Sequence, residues 1–119
     1  MSKIKVKISI KNDKIKDTYE LNAILDNNRI KYKEDNGTTT IIDLDNKELI
    51  RENNELRMNY IFKINELTEG YILIKEYNKK IIVNIKTNKL EIDNNNIYIE
   101  YEIENNIFIY KLEEIKWVY

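Results

Sequence analysis

The sequence predicts an all-β fold, an antiparallel meander arranged as a barrel or a sandwich. Three observations predict it. Apolar and polar residues alternate strictly in several stretches, the pattern of strands with one buried face. Turn-forming residues recur at short intervals along the chain. The links between runs are short, which favours antiparallel neighbours.

The first run sets Ile4, Val6, Ile8 and Ile10 against Lys3, Lys5, Lys7 and Ser9, and ends at the turn signal Asn12-Asp13. Runs centred on Tyr19–Leu25 and Arg29–Lys33 follow, divided by Asp26-Asn27-Asn28. Asp35-Asn36-Gly37 leads into Thr39–Leu44, Asp45-Asn46 into Lys47–Arg51, and Asn53-Asn54 into Leu56–Ile64. Next come Tyr71–Tyr77, Ile81–Ile85 and Leu90–Ile92, with turn signals at Asn78-Lys79, Asn88-Lys89 and Asp93–Asn96. In "NIYIEYEIE", Ile97, Ile99, Tyr101 and Ile103 share one face, while Tyr98, Glu100, Glu102 and Glu104 share the other. "ENN" then turns the chain, and a last β-rich run begins at Ile107. Asn carries these turns because it enters left-handed backbone conformations more readily than other non-Gly residues. The chain has only two Gly and no Pro to do so.

The stretch Glu91–Glu113 uses few residue types and invites a low-complexity reading. A disordered or prion-like segment would not hold polar and apolar residues in register, so the stretch is expected to fold. The wider bias towards Ile, Asn, Lys and Tyr suits A/T-rich codons and carries no functional signal.

Two segments fit more than one element. Asp45–Leu56 has capping-box spacing, with Asp45 three residues before Glu48. Asn53-Asn54 interrupts its apolar stripe, so strand–turn–strand is the expectation. Residues 111–119 fit a last strand or a short helix equally well.

A chain of 119 residues is one domain by length, here 1–119. At 42% hydrophobic residues it can build a core without disulfide staples. Its 20 basic and 21 acidic side chains nearly cancel, so there is no electrostatic footprint for nucleic acid. Cys and His are both absent. That removes thiolate chemistry, the commonest general base and the commonest transition-metal ligand. "MSKIKVKISIK" has the pattern of neither a signal peptide nor a membrane span, so a cytoplasmic protein is expected.

At "ELIRENNELRMNYIF" (Glu48–Phe62), with "GTTTIIDL" upstream and "IVNIKTNKLEID" downstream, the chain resembles the YwiB-like family. These are uncharacterised bacterial proteins with a calycin-like, lipocalin-related β-barrel. The resemblance runs from "KIKVKISI" to "YKLEEI" and rests on strand order and on Thr40, Arg51, Met58, Phe62 and Thr87. The family's usual turn glycines are replaced here by Asn53-Asn54 and Asn78. The resemblance implies a barrel and supplies no catalytic motif.

Several residues could carry chemistry. Asp43 and Asp45 are a candidate metal pair, but no Gly-centred loop supplies further oxygens, so a solvated face is expected. Glu100, Glu102 and Glu104 are expected on a charged outer face with Lys partners across the strands. Asn36-Gly37-Thr38 matches a glycosylation acceptor and is read as a turn. Lys3, Lys5 and Lys7 lack aromatics on their own face for base stacking, so they are read as a solvated stripe that discourages edge pairing. Tyr19, Tyr60 and Tyr101 fall in phase with Leu21, Met58 and Ile99 and are expected to point inward, where their hydroxyls need partners. Arg51, if inward at a barrel end, could pair a carboxylate.

The resulting expectation is an antiparallel barrel of roughly eight to ten strands. Its inward set is Ile4, Val6, Ile8, Leu21, Met58, Tyr60, Phe62, Val83, Ile99, Tyr101 and Ile103. The expected role is noncatalytic: a cytoplasmic barrel holding a small apolar ligand near Tyr19, Arg51, Met58, Tyr60 and Tyr101. No cofactor, metal, nucleic acid or membrane is expected to take part. The alternative is a protein-interaction module with a filled core, and an enzyme using Asp, Glu, Tyr or Lys ranks third. Fold analogy alone suggests the ligand.

Overall fold

The computed structural model describes residues 2–115. The described residues form ten strands and no helix: β1 (Ser2–Lys11), β2 (Lys16–Asp26), β3 (Arg29–Lys33), β4 (Thr39–Asp43), β5 (Glu48–Glu52), β6 (Leu56–Ile61), β7 (Leu67–Ile74), β8 (Lys79–Asp93), β9 (Asn96–Ile103) and β10 (Asn106–Glu114). Each strand pairs antiparallel with the next, and β10 returns to β1 to close a barrel. The meander barrel read from the sequence is the observed fold.

Asparagine builds the turns in two ways. In the two-residue hairpin between β2 and β3, Asn27 and Asn28 take φ of 50° and 60°. Asn94 and Asn105 do the same work in the β8–β9 and β9–β10 hairpins, and Asn78 does it at the end of the β7–β8 turn. Elsewhere a side-chain oxygen gathers backbone N–H groups. Asn12 Oδ1 accepts from Lys14 and Ile15, both at 2.8 Å, and Asn53 Oδ1 accepts from Glu55 at 2.8 Å and Leu56 at 2.9 Å. This decides the segment 45–56. Asn53 captures the N–H groups that a helix would need, so the chain turns and returns as strand.

The whole expected inward set is buried or packed against the core. Phe62, Ile85, Ile97 and Leu112 are almost fully enclosed. Gly70 is required where it stands. A Cβ there would lie 2.7 Å from the Asn59 carbonyl oxygen and 2.9 Å from the Tyr60 ring.

Several expectations are corrected. Asn88-Lys89 is not a turn; a bulge between Thr87 and Lys89 keeps β8 running for 15 residues. The run Tyr71–Tyr77 begins earlier, at Leu67, and ends at Ile74, so Tyr77 lies in the turn. Residues 111–114 belong to β10, and 116–119 lie outside the described residues. β1 has β10 beside it from Val6 onward and Ile115 beside Lys5, so Lys5 and Lys7 guard no edge, whereas over Ser2–Ile4 only β2 pairs with it among the described residues.

The stagger needed to close the barrel is concentrated at two seams. β2 pairs with β1 along its length from Lys16 to Leu25, but with β3 only over Ala23–Asp26. β8 pairs with β7 over Lys79–Lys86 and with β9 over Lys86–Asp93. The first seam opens beside the candidate site.

Candidate functional site

The site lies at the barrel end that carries the β1–β2, β3–β4, β5–β6, β7–β8 and β9–β10 turns, on its β1–β2 side. Two hollows meet there. A cavity of about 250 Å³ is lined by Ile10, Asn12, Ile15 and Asp17 from β1 and β2 and the turn between them. Leu49 and Arg51 of β5, Met58 of β6, and Tyr101, Phe108 and Tyr110 of β9 and β10 complete its wall. A groove of about 520 Å³ follows the β2–β3 seam past Tyr19, Leu21, Glu34 and Asn36. Ile10, Asp17 and Arg51 border both.

Strand alternation explains why these side chains converge. Leu49 and Arg51 are in step on β5. Ile30, Tyr32 and Glu34 continue in step from β3 into the turn beyond it. Arg51 stands opposite Thr40 on one side and Met58 on the other. Its Nη2 donates to both Glu34 oxygens, Oε1 at 3.0 Å and Oε2 at 2.9 Å. The Tyr19 hydroxyl donates to Glu34 Oε1 across the seam. Glu34 is thereby held by two strands that the backbone does not join at this height. Arg51 Nε is buried with no hydrogen-bond partner among the described residues. Burial works to lower the Arg51 pKa, but the Glu34 charge and hydrogen bonds outweigh it and the net shift is upward. Arg51 is a permanent cation at the rim of a largely apolar hollow.

Behind the rim sits an aromatic cluster. Tyr101 stacks on Phe108 with ring centroids 5.3 Å apart and packs against Phe62 at 5.1 Å. Tyr60 meets Tyr101 edge to face at 6.0 Å. Burial raises the pKa of Tyr60 and Tyr101, and neither hydroxyl has a hydrogen-bond partner among the described residues. Tyr32 of β3 and Tyr110 of β10 join hydroxyl to hydroxyl at 2.6 Å. Burial pushes both pKa values up. Thr40 Oγ1 lies beside Tyr32 without a hydrogen bond of normal geometry.

Of the residues singled out in the sequence, Arg51, Met58 and Tyr101 line the cavity and Tyr19 lines the adjoining groove. Tyr60 packs behind Tyr101 rather than lining either. Glu34, Phe108 and Tyr110 were missed. Their signal was present: Glu34 keeps step with Ile30 and Tyr32, and Phe108 and Tyr110 keep step with Leu112.

Asp43 is a correction. It is buried rather than solvated, at 7% exposure. Its Oδ1 accepts from the Asp45 and Asn46 N–H groups at 3.0 and 3.1 Å, and its Oδ2 accepts from Asn46 Nδ2 and Arg29 Nε. Those backbone bonds, that of Asn46 foremost, and the Arg29 charge lower its pKa. It is a turn-building residue. Glu100 and Glu102 face Lys89 and Lys86 across the β8–β9 ladder, as expected of a charged outer face.

No protein-family model matches the chain, and no curated protein matches it in sequence. Among solved structures it is similar to the crystal structure of the ywiB protein from Bacillus subtilis, at 16% identity. The match covers 96% of this chain and 91% of that one, with a TM-score of 0.55. The fold is therefore YwiB-like.

Proposed function

We propose that the barrel is a noncatalytic carrier for one small, largely apolar ligand, seated in the cavity beneath the β1–β2 turn. The observation that carries this reading is the composition of the cavity wall. Ile10, Leu49, Met58 and Phe108 supply apolar surface, and Met58 adapts to varied shapes. Arg51, Asp17, Asn12 and the Tyr101 hydroxyl supply a few polar points, the usual makeup of a small-molecule site. At about 250 Å³ the space lies just under the range of roughly 300–1,000 Å³ for drug-sized ligands, so the occupant is small.

The absence of catalysis is part of the proposal. Glu34, the carboxylate of the adjoining groove, is already engaged by Tyr19 and Arg51, and Asp17, the carboxylate that lines the cavity, has no second carboxylate beside it among the described residues of the cavity wall. No cofactor is invoked. The same reading places the protein in the cytoplasm of a bacterium and groups it with the calycin-like barrels. It has no nucleic-acid or membrane partner. An apolar interior with a charged exterior is the reverse of a membrane barrel's arrangement, and no helix of the described residues is long and apolar enough to cross a membrane.

A second reading, a protein-interaction module, is favoured by the tight interior around Phe62, Ile85 and Ile97 and by exposed apolar residues on the β7–β8 side.

Native mass spectrometry of the purified protein, followed by titration with anilinonaphthalenesulfonate, tests the carrier. A retained small molecule, or saturable one-to-one fluorescence enhancement abolished by the cavity-filling Met58→Trp, is the expected result. No retained mass and no saturable binding would remove the carrier reading.

A further inference from the structure

Several stretches of strand have a neighbour on one side only among the described residues, and the two longest are 16–22 of β2 and 79–85 of β8. Such an edge shows a row of unpaired N–H and C=O groups and is a template for another strand. The two edges are written differently. The β2 edge, "KDTYELN", carries Lys16, Asp17 and Glu20, and Tyr19 ties it to Glu34 across the seam. Charges and a side-chain bridge of this kind block a foreign strand.

The β8 edge, "KKIIVNI", has no such protection along Ile81–Ile85. Its residues are mostly β-branched, which suits a ladder. Ile81 is 39% exposed and Ile82 54%. The only charges are Lys79 and Lys80 at one end, and Lys80 Nζ lies over its own sheet's Tyr71 ring, 4.3 Å from the centroid.

We propose that β8 pairs edge to edge with β8 of a second copy, antiparallel about a two-fold axis at Ile82, so that two barrels share one continuous sheet. Self-pairing over the whole of 79–85 sets Ile82 opposite itself, Ile81 opposite Val83, Lys80 opposite Asn84 and Lys79 opposite Ile85. No Lys then faces a Lys, and the like charges sit at the two far ends of the ladder. Each Ile82 lies beside Tyr71 of its own β7, so both copies bring an aromatic flank to the axis. An interface of this kind is isologous, one patch serving both partners. Because the centre of the edge is uncharged, it matches itself better than it matches a charged peptide.

Sedimentation and amide exchange on the full chain test this over roughly a thousand-fold range of concentration reaching the millimolar. The expected result is a doubling of mass with concentration, accompanied by slowed exchange within 79–85. Ile82→Lys places two ammonium groups at the axis and should weaken dimerisation at least about ten-fold. Ile24→Lys, an exposed isoleucine on a part of β2 paired on both sides, should leave it unchanged. The exchange measurement needs no variant, so it decides even if Ile82→Lys misfolds. A monomer at every concentration would overturn the proposal. So would a dimer whose 79–85 amides exchange as in the monomer, or one indifferent to a folded Ile82→Lys.

Discussion

Arg51 holds both oxygens of Glu34 with one nitrogen, Nη2, at 3.0 and 2.9 Å, which leaves the buried Nε without a partner among the described residues. The pair joins β5 to the turn after β3, and Tyr19 extends it to β2 across the open seam. It therefore substitutes for backbone bonds that the stagger removes. Glu34→Gln would leave a partly buried cation without its counter-charge. The expected loss is about 1.5–3 kcal/mol, the range for hydrogen bonds to charged groups. Tyr19→Phe should cost about 1 kcal/mol. Urea unfolding of both variants checks this, and equal stability to the wild type would show that the seam needs no such tie.

Gly70 offers a sharper test of the β6–β7 packing. Its missing side chain admits the Asn59 carbonyl and the Tyr60 ring. Gly70→Ala should destabilise by about 1–3 kcal/mol, the usual cost of overpacking. Trimming Tyr60 would not restore the loss, because the closer contact is with backbone. Thermal unfolding of Gly70→Ala, with and without Tyr60→Ala, measures it.

Asp43 should give the barrel an acid-sensitive component. Its folded-state pKa lies below the ordinary value of 3.8, since the Asn46 and Asp45 N–H groups and Arg29 favour the carboxylate. The unfolded chain therefore takes up the proton first as pH falls. The stabilisation is complete above the unfolded pKa and disappears as pH falls through the folded one. Asp43→Asn should be less stable than the wild type at neutral pH by about 1 kcal/mol. That gap should narrow below about pH 4 and close in stronger acid. A gap independent of pH would mean that the turn depends on shape and not on charge.

The Tyr32–Tyr110 contact predicts an asymmetry. Removing either hydroxyl orphans the other in the core, at about 1–3 kcal/mol. Tyr32 has Thr40 beside it as a substitute partner, whereas Tyr110 bonds only Tyr32 among the described residues. Tyr32→Phe should thus cost more than Tyr110→Phe, and the double variant less than the sum of the two. A double-mutant cycle in urea reads all three values.

Period-2 alternation made the barrel and its inward face legible, because one slip of register would have inverted every side chain. Asn at the turns was legible for the same local reason. The seams were not. Nothing in "KTNKLEID" says that Asn88 is a bulge rather than a turn, since both uses exploit the same backbone freedom. Arg51 was legible as an inward cation, but its partner was not. Glu34 and Arg51 are 17 residues apart and meet only because β4 lies between their strands. Asp43 was misjudged because a buried Asp in an Asx turn and a solvated Asp in a strand leave the same mark in sequence.

Tyr101 and Tyr60 together separate a ligand site from an ordinary core. Both are buried tyrosines whose hydroxyls have no hydrogen-bond partner among the described residues, so deleting either removes no bond among them. Tyr101→Phe and Tyr60→Phe should each change stability by less than about 0.5 kcal/mol. Phe62→Ala, which empties a fully packed position of the same cluster, should cost about 3–5 kcal/mol. Only Tyr101 borders the cavity. If the space holds a ligand with a polar end, Tyr101→Phe should weaken it by up to about ten-fold, the value of one hydrogen bond near 1.4 kcal/mol. Tyr60→Phe should leave affinity unchanged. Binding isotherms for the co-purifying molecule, or for anilinonaphthalenesulfonate in its absence, give the comparison. Equal effects from the two variants would mean that the Tyr101 hydroxyl does nothing for the ligand that the Tyr60 hydroxyl does not, and the carrier reading would lose its polar anchor.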